Sequence, residues 1–188
     1  MTVLQSELFL DVATPEQVTL DLTGRTCAGT GHRPPKLGGY GEDVYSRLVA
    51  FARRWVEALQ PKLVISGAAL GFDFALADAA IIASVPLHLA IPCDTQSSRW
   101  PPASRRKYDW LRSRATSERV VCPGPYRPDV MDVRNSYMVD YAAREQGLIF
   151  SLWDGSAGGT RNCLAYSERY DLDRINAWHD YVRFARAA

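Results

Sequence analysis

Three short apolar runs in this chain each end in a glycine-bearing turn: "RTCAGTGHR" (Arg25 to Arg33), "KLVISGAALGFD" (Lys62 to Asp73) and "GLIFSLWDGSAGGT" (Gly147 to Thr160). Longer amphipathic stretches separate them. In "DVYSRLVAFARRWVEAL" the apolar residues Val44, Leu48, Phe51, Ala52, Trp55 and Leu59 fall at helical spacing. Strands alternating with helices in this way point to βαβ units. The expected fold class is therefore α/β, a Rossmann-like, mainly parallel sheet with helices on both faces. Ligands of such sheets bind at the carboxyl ends of the strands, so all three glycine turns should converge on one edge.

The remaining elements read in order. "FDFALADAAIIAS" is an alanine-rich helix, "PLHLAIP" a strand, "PASRRKYDWLRSRA" a polar helix and "ERVVCPG" a short strand. "PDVMDVRNSYMVDYAAREQ" and "GGTRNCLAYSERYD" are helices, and the tail "INAWHDYVRFARAA" is helical and amphipathic. Trp178, Tyr181 and Phe184 share one face of that tail, and core packing is its plainest role. At 188 residues the chain suits one well-cored domain. Its core runs from about 25 to 170, with an N-terminal arm over 1–24 (a possible edge strand) and a C-terminal helix over 176–187.

Composition narrows the function classes. A net charge of +1 lacks the basic footprint of non-specific nucleic-acid binding and argues against that partner. Cys27, Cys93, Cys122 and Cys163 show no metal-like spacing and read as buried thiols. No metal and no cofactor is called for. The start "MTVLQSELFL" is not a signal peptide, and no apolar run approaches the ~20 residues that span a bilayer. A cytoplasmic protein without a membrane partner is expected.

Five segments carry candidate chemistry. In "GTGHRPPKLGGYG", Gly29, Thr30 and Gly31 allow close backbone approach, and His32 and Arg33 offer donors to an anion. The segment lacks both the GxGxxG spacing and the GKS/T of a Walker loop. In "SGAALGFD", Ser66, Gly67 and Gly71 form a turn, and Asp73 either favours the helix N-terminus or bonds a sugar or base. "WDGSAGGT" brings Asp154, Gly155, Ser156, Gly158, Gly159 and Thr160 before a helix, an anion cradle with Thr160 as the alternative N-cap. Arg134 and Asn135 sit on a helix, and Arg99 and Trp100 in a long loop that forms a lid or an ordinary surface.

"TGHRPPKLGGY", "SGAALGFD", "IPCDTQSSRWP", "RNSYMVD" and "LIFSLWDGSAGGTRNCLAY" follow one another in the order and rough spacing of YpsA-like proteins. The chain resembles that group over Arg25 to Arg169. The group belongs to the SLOG superfamily, named for the SMF/DprA and LOG (Lonely Guy) proteins. The resemblance implies a Rossmann-like fold, a nucleotide or nucleotide-derived ligand, and a phosphate on the Gly-Gly-Thr loop. It also implies a homo-oligomer, dimer or higher, and a role in phage defence or counter-defence.

LOG enzymes cleave the N-glycosidic bond of nucleoside monophosphates with an Arg-Lys pair and a glutamate just after their glycine loop. Here Arg134 is similar to that Arg, but Asn135 stands where the Lys would be. The first carboxylate after Thr160 is Glu168, roughly 12 Å on along a helix. Asp73, Asp140 or Asp154 would have to substitute, with Asp73 and Asp154 the catalytic candidates. The primary expectation is thus a sensor or sequestering protein for a small nucleotide-derived signal, ADP-ribose-like or cyclic, without turnover. A nucleotide N-glycosidase is the alternative, and DprA-like single-stranded DNA binding is the second alternative.

Overall fold

The computed structural model describes residues 9–10 and 12–187. The succession of elements begins with β1 (Thr26–Gly31), α1 (Glu42–Leu59), β2 (Leu63–Ser66), α2 (Phe72–Ile82), β3 (Leu87–Ile91) and α3 (Pro102–Arg114). It continues with β4 (Ser117–Val120), α4 (Val130–Arg144), β5 (Leu148–Leu152), α5 (Gly159–Ser167), β6 (Asp173–Asn176) and α6 (Trp178–Ala187). Single 3-10 turns occupy Pro15–Gln17, Leu20–Leu22 and Pro34–Lys36. All six strands pair in parallel, in the order β4-β3-β2-β1-β5-β6. The expected α/β Rossmann-like architecture is present.

The sheet is apolar on both faces because both are covered. Cys27, Val64, Leu89, Leu148 and Phe150 pack with α1, α2 and α6, while Ala28, Ile65, Ala90 and Ile149 pack with α4 and α5. α1 buries Leu48, Phe51, Ala52 and Trp55 along one stripe, and Glu42 and Asp43 in its first turn complement the helix dipole. It stops where Gln60 turns left-handed (φ 43°) ahead of Pro61. α2 has no polar face: Phe72 through Ala80 are all buried, since this helix lies between the sheet and its neighbours α1 and α3. Its alanines allow that close approach.

The tail departs from expectation at its start. Ile175 and Asn176, read as its first residues, instead end a sixth strand, Asp173–Asn176, paired with β5 from Leu148↔Asp173 to Ser151↔Asn176. A four-residue edge strand has too little alternation to stand out beside an amphipathic helix, and the partner strand defines it. Arg25 fastens this edge, bonding the Asp173 carboxylate and the Gly147 carbonyl (2.6 Å). α6 then packs on α1, with Phe51 against Tyr181 and Phe184, and Trp55 Nε1 donating to Asp180 (3.0 Å). In the N-terminal arm the described part forms 3-10 turns, and the Leu10 N–H donates to the Arg174 carbonyl (2.7 Å). The edge strand considered for the arm over 1–24 does not form among its described residues, and residues 1–8 and 11 lie outside them.

Candidate functional site

The chain reverses its direction of travel across the sheet between β4 and β5, so β1 has β2 on one side and β5 on the other. The carboxyl ends of β1 and β5 are the switch point at which a crevice opens in such folds. A cavity of about 490 Å³ lies there. Its walls come from the turn after β1 (Thr30 to Arg33, Pro35, Lys36), from Ala69 and Asp73 at the start of α2, from Met131, Arg134 and Asn135 on α4, and from Ser156 to Thr160 at the start of α5.

Most sequence candidates meet here. Thr30, Gly31, His32, Arg33, Asp73, Arg134, Asn135, Ser156, Gly158, Gly159 and Thr160 all line the cavity. Gly29, Ser66, Gly67, Gly71, Arg99, Trp100, Asp154 and Gly155 do not. Gly29 and Gly31 are small for a reason other than ligand approach: a Cβ would fall 2.0 Å from Leu76 at the first and 2.6 Å from Phe72 at the second. They let α2 lie close on β1. Gly67 makes room for a side chain, since a Cβ there would lie 1.3 Å from Arg134 Nη1. Ser66 Oγ donates to the Asp73 carbonyl (2.8 Å) and accepts from the Ala68 N–H, bracing the turn. Trp100 packs edge-on against Phe74 and Tyr108, and Arg99 is an exposed neighbour.

Arg134 dominates the floor. It is 5% exposed, and its Nη1 lies 3.4 Å from Asp73 Oδ2. A guanidinium has five N–H donors. Among the described residues that long contact is the one its guanidinium makes, and Nε is buried without a partner. Burial pushes the Asp73 carboxyl up, against the pull of Arg134 and Arg33. Cys163 lies under the same floor, and burial raises its thiol to about 11 despite the Arg134 charge, so it is not a thiolate near neutral pH.

The rim is a tighter cluster. Asp154 Oδ1 accepts from the Ser156 N–H (2.9 Å) and hydroxyl (2.5 Å), and Lys36 Nζ stands 3.1 Å from Oδ2 while also contacting Ser156 Oγ. Burial would raise this carboxyl, but the Ser156 bonds, Lys36 and His32 outweigh it and hold Asp154 well below the usual carboxylate range. His32 Nε2 lies 2.7 Å from Asp154 Oδ1 and 2.9 Å from the Asp154 N–H, and its ring stands edge-on to Trp178. Burial lowers the His32 pKa more than Asp154 raises it. His32 therefore ties the turn after β1 to the turn after β5 through Nε2.

At the far wall α5 begins at Gly158 with no side-chain cap, so its first N–H groups remain open to an anion. Thr160, the N-cap alternative, is instead the second helical residue, two past the N-cap Gly158. Asn135 Nδ2 donates to the Gly159 carbonyl (3.2 Å) and fixes that end against α4. Lys36 and Ala69 escaped the sequence reading. Lys36 stands inside a motif already singled out, four residues past His32, and that position was the signal available. Among the described residues no group of three or more His, Cys, Asp or Glu could hold a metal ion. No helix among them is long and apolar enough to cross a membrane.

No family model matches the chain. Over 47 residues, 25% of its length, it is 43% identical to the SPbeta prophage-derived protein YoqJ of Bacillus subtilis (strain 168), of which it covers 25%. Among solved structures it resembles DNA processing protein A (DprA) from Streptococcus pneumoniae at 14% identity and a TM-score of 0.43, covering 85% of this chain and 61% of that one. It also resembles DNA processing protein A from Helicobacter pylori, in a structure of its single-stranded DNA binding mode, at 15% identity and a TM-score of 0.42, covering 90% and 85%. The chain thus spans a quarter of the curated relative and under two thirds of the S. pneumoniae protein.

Two expectations are corrected. The primary reading was a small nucleotide-derived signal held by a sensor or sequestering protein, and the charge balance argued against nucleic acid. The similar solved structures are DNA processing proteins, one of them in its single-stranded DNA binding mode, which agrees with the second alternative instead. Net charge averages the whole surface, and it does not show that Arg33, Lys36 and Arg134 stand together in one cavity.

Proposed function

We propose that the switch-point cavity holds backbone phosphates of a single-stranded nucleic acid. The observation that carries this reading is Arg134, a buried guanidinium with one long contact, an unpartnered Nε and a place in the cavity wall. Leaving such donors unmade is costly, and an anion in the cavity would bond the part of the guanidinium that lines it. Arg33 and Lys36 at the mouth and the uncapped start of α5 add to the same field.

Three cations, Arg33, Lys36 and Arg134, stand against the carboxylates Asp73 and Asp154. Arg33 makes no ion pair among the described residues. A second cavity, between α4 and α5, shares Asn135 with this one as a wall, so a further polar surface stands next to the cradle for a longer ligand.

The test is fluorescence anisotropy of a labelled oligo-dT titrated with the protein across a range of salt. Saturable binding is expected, with log K falling against log[salt] at a slope of about −2, the value for about three phosphates on a single strand. Arg33→Ala should weaken binding and flatten the slope. Absence of binding at about 50 mM salt, or an affinity indifferent to Arg33→Ala, would remove the phosphate cradle.

A further inference from the structure

The second cavity, of about 340 Å³, lies between α4 and α5 and has a different chemistry from the first. Its walls include Asp132, Asn135 and Ser136 on α4 and Asn162, Tyr166 and Arg169 along and just after α5. It carries hydrogen-bonding edges where the first cavity carries positive charge. Asp132 Oδ1 is 3.4 Å from Asn162 Nδ2, a long bond that leaves the rest of the carboxylate free to accept.

The Arg169 guanidinium lies 4.6 Å from the Tyr166 ring centroid. The Tyr166 hydroxyl donates to Asp140 Oδ1 (3.0 Å) and so holds that ring in place. A guanidinium backed by an aromatic ring offers its other face to a planar group. The cavity therefore combines a stacking platform with amide, hydroxyl and carboxylate groups at its edge, as base recognition in single strands requires.

We infer that this cavity receives the nucleobase of the nucleotide whose phosphate sits in the switch-point cavity, and that Asp132 selects guanine. The inference rests on the phosphate reading above. Asn135 is the wall common to both cavities, so phosphate and base lie on either side of one residue. A carboxylate accepts two parallel hydrogen bonds from guanine N1–H and its N2 amino group. Thymine offers a single N–H beside acceptors that a carboxylate repels. Asn162 provides a donor for the guanine O6.

The experiment compares oligo-dT strands carrying one central guanine, one hypoxanthine (guanine without its amino group) or thymine alone, by anisotropy with wild type, Asp132→Asn, Arg169→Ala and Lys36→Ala proteins. The guanine strand is expected to bind about tenfold tighter than the other two, in line with a good bidentate contact. Asp132→Asn should erase that ratio. Arg169→Ala should weaken the guanine strand by about fivefold or more, the low end of one lost base stack. Guanine preference that survives Asp132→Asn, or wild-type binding without preference that Lys36→Ala still weakens, would overturn the base pocket and leave the phosphate cradle standing. Failure of every strand to bind would overturn both.

Discussion

Two cavities share the glycine-proline loop after β1 as a wall, and they are nearly opposite in character. One, of about 490 Å³, is the switch-point cavity with Arg33, Lys36 and Arg134. The other, of about 410 Å³, opens on the far side of the loop, where Leu37, Val44, Leu48, Leu70 and Phe74 meet Tyr40 and Tyr45. The cations differ as well as the walls. Lys107, beside the apolar cavity, is bound to Asp78, lies 4.0 Å from the Trp110 ring centroid, and shares that carboxylate with the Tyr45 hydroxyl (3.0 Å). Its charge is spent within the fold. Arg134 keeps most of its donors unmade. Size does not distinguish the two cavities; the state of their polar groups does.

That contrast predicts opposite consequences for substitutions on the two sides. Arg134→Met should have the largest effect, about 3–5 kcal/mol in urea unfolding, because it strands the buried Asp73 charge. It should also abolish oligo-dT binding, and Asp73→Asn in the same chain should recover much of the stability without the binding. Phe74→Ala, on the apolar side, should cost about 3 kcal/mol through the cavity it opens beside Trp100 and Tyr108. Its oligo-dT affinity should match wild type; a parallel loss of binding would erase the distinction between the cavities.

Smaller changes sharpen the comparison. Tyr45→Phe removes a hydrogen bond to Asp78 and should cost about 1 kcal/mol in thermal or urea melts, again with binding intact. Asp154→Asn probes the rim by pH. The Asp154 carboxyl is depressed in the folded state, so its stabilisation is present above the unfolded value near 3.9 and is lost as pH falls below it. The wild-type melting temperature should exceed that of Asp154→Asn at pH 7, and the gap should close below about pH 4. A gap that widened with acid would reverse the sign of the assigned coupling. Arg99→Ala should be the least perturbing, within about 0.5 kcal/mol and without effect on binding, since its loop stands away from the cradle.

Much of the architecture was legible because it is local. Apolar runs of four to six residues and helical spacing such as Val44, Leu48, Phe51 and Trp55 reflect period and burial, and both survive without knowledge of partners. β6 was not legible, because a short edge strand is defined by the β5 backbone beside it. Among site residues, the glycine loops and Arg134 stood out in sequence, but the packing role of Gly29, Gly31 and Gly67 did not. Each glycine is small on account of a side chain distant in sequence: Leu76, Phe72 and Arg134.

The sequence by itself determined the alternation of strand and helix, the parallel sheet that alternation demands, and the placing of glycine turns at the carboxyl edge. These follow from residue periodicity and the short reach of the backbone. Tertiary structure alone decided that β5 lies beside β1, and hence that Arg134 meets Asp73 across 61 residues of chain while Lys36 meets Asp154 across 118. It also decided which cations remained free. A charge reads the same in sequence whether paired or not, and only the packed fold brings its partner within reach or leaves its hydrogen bonds unmade.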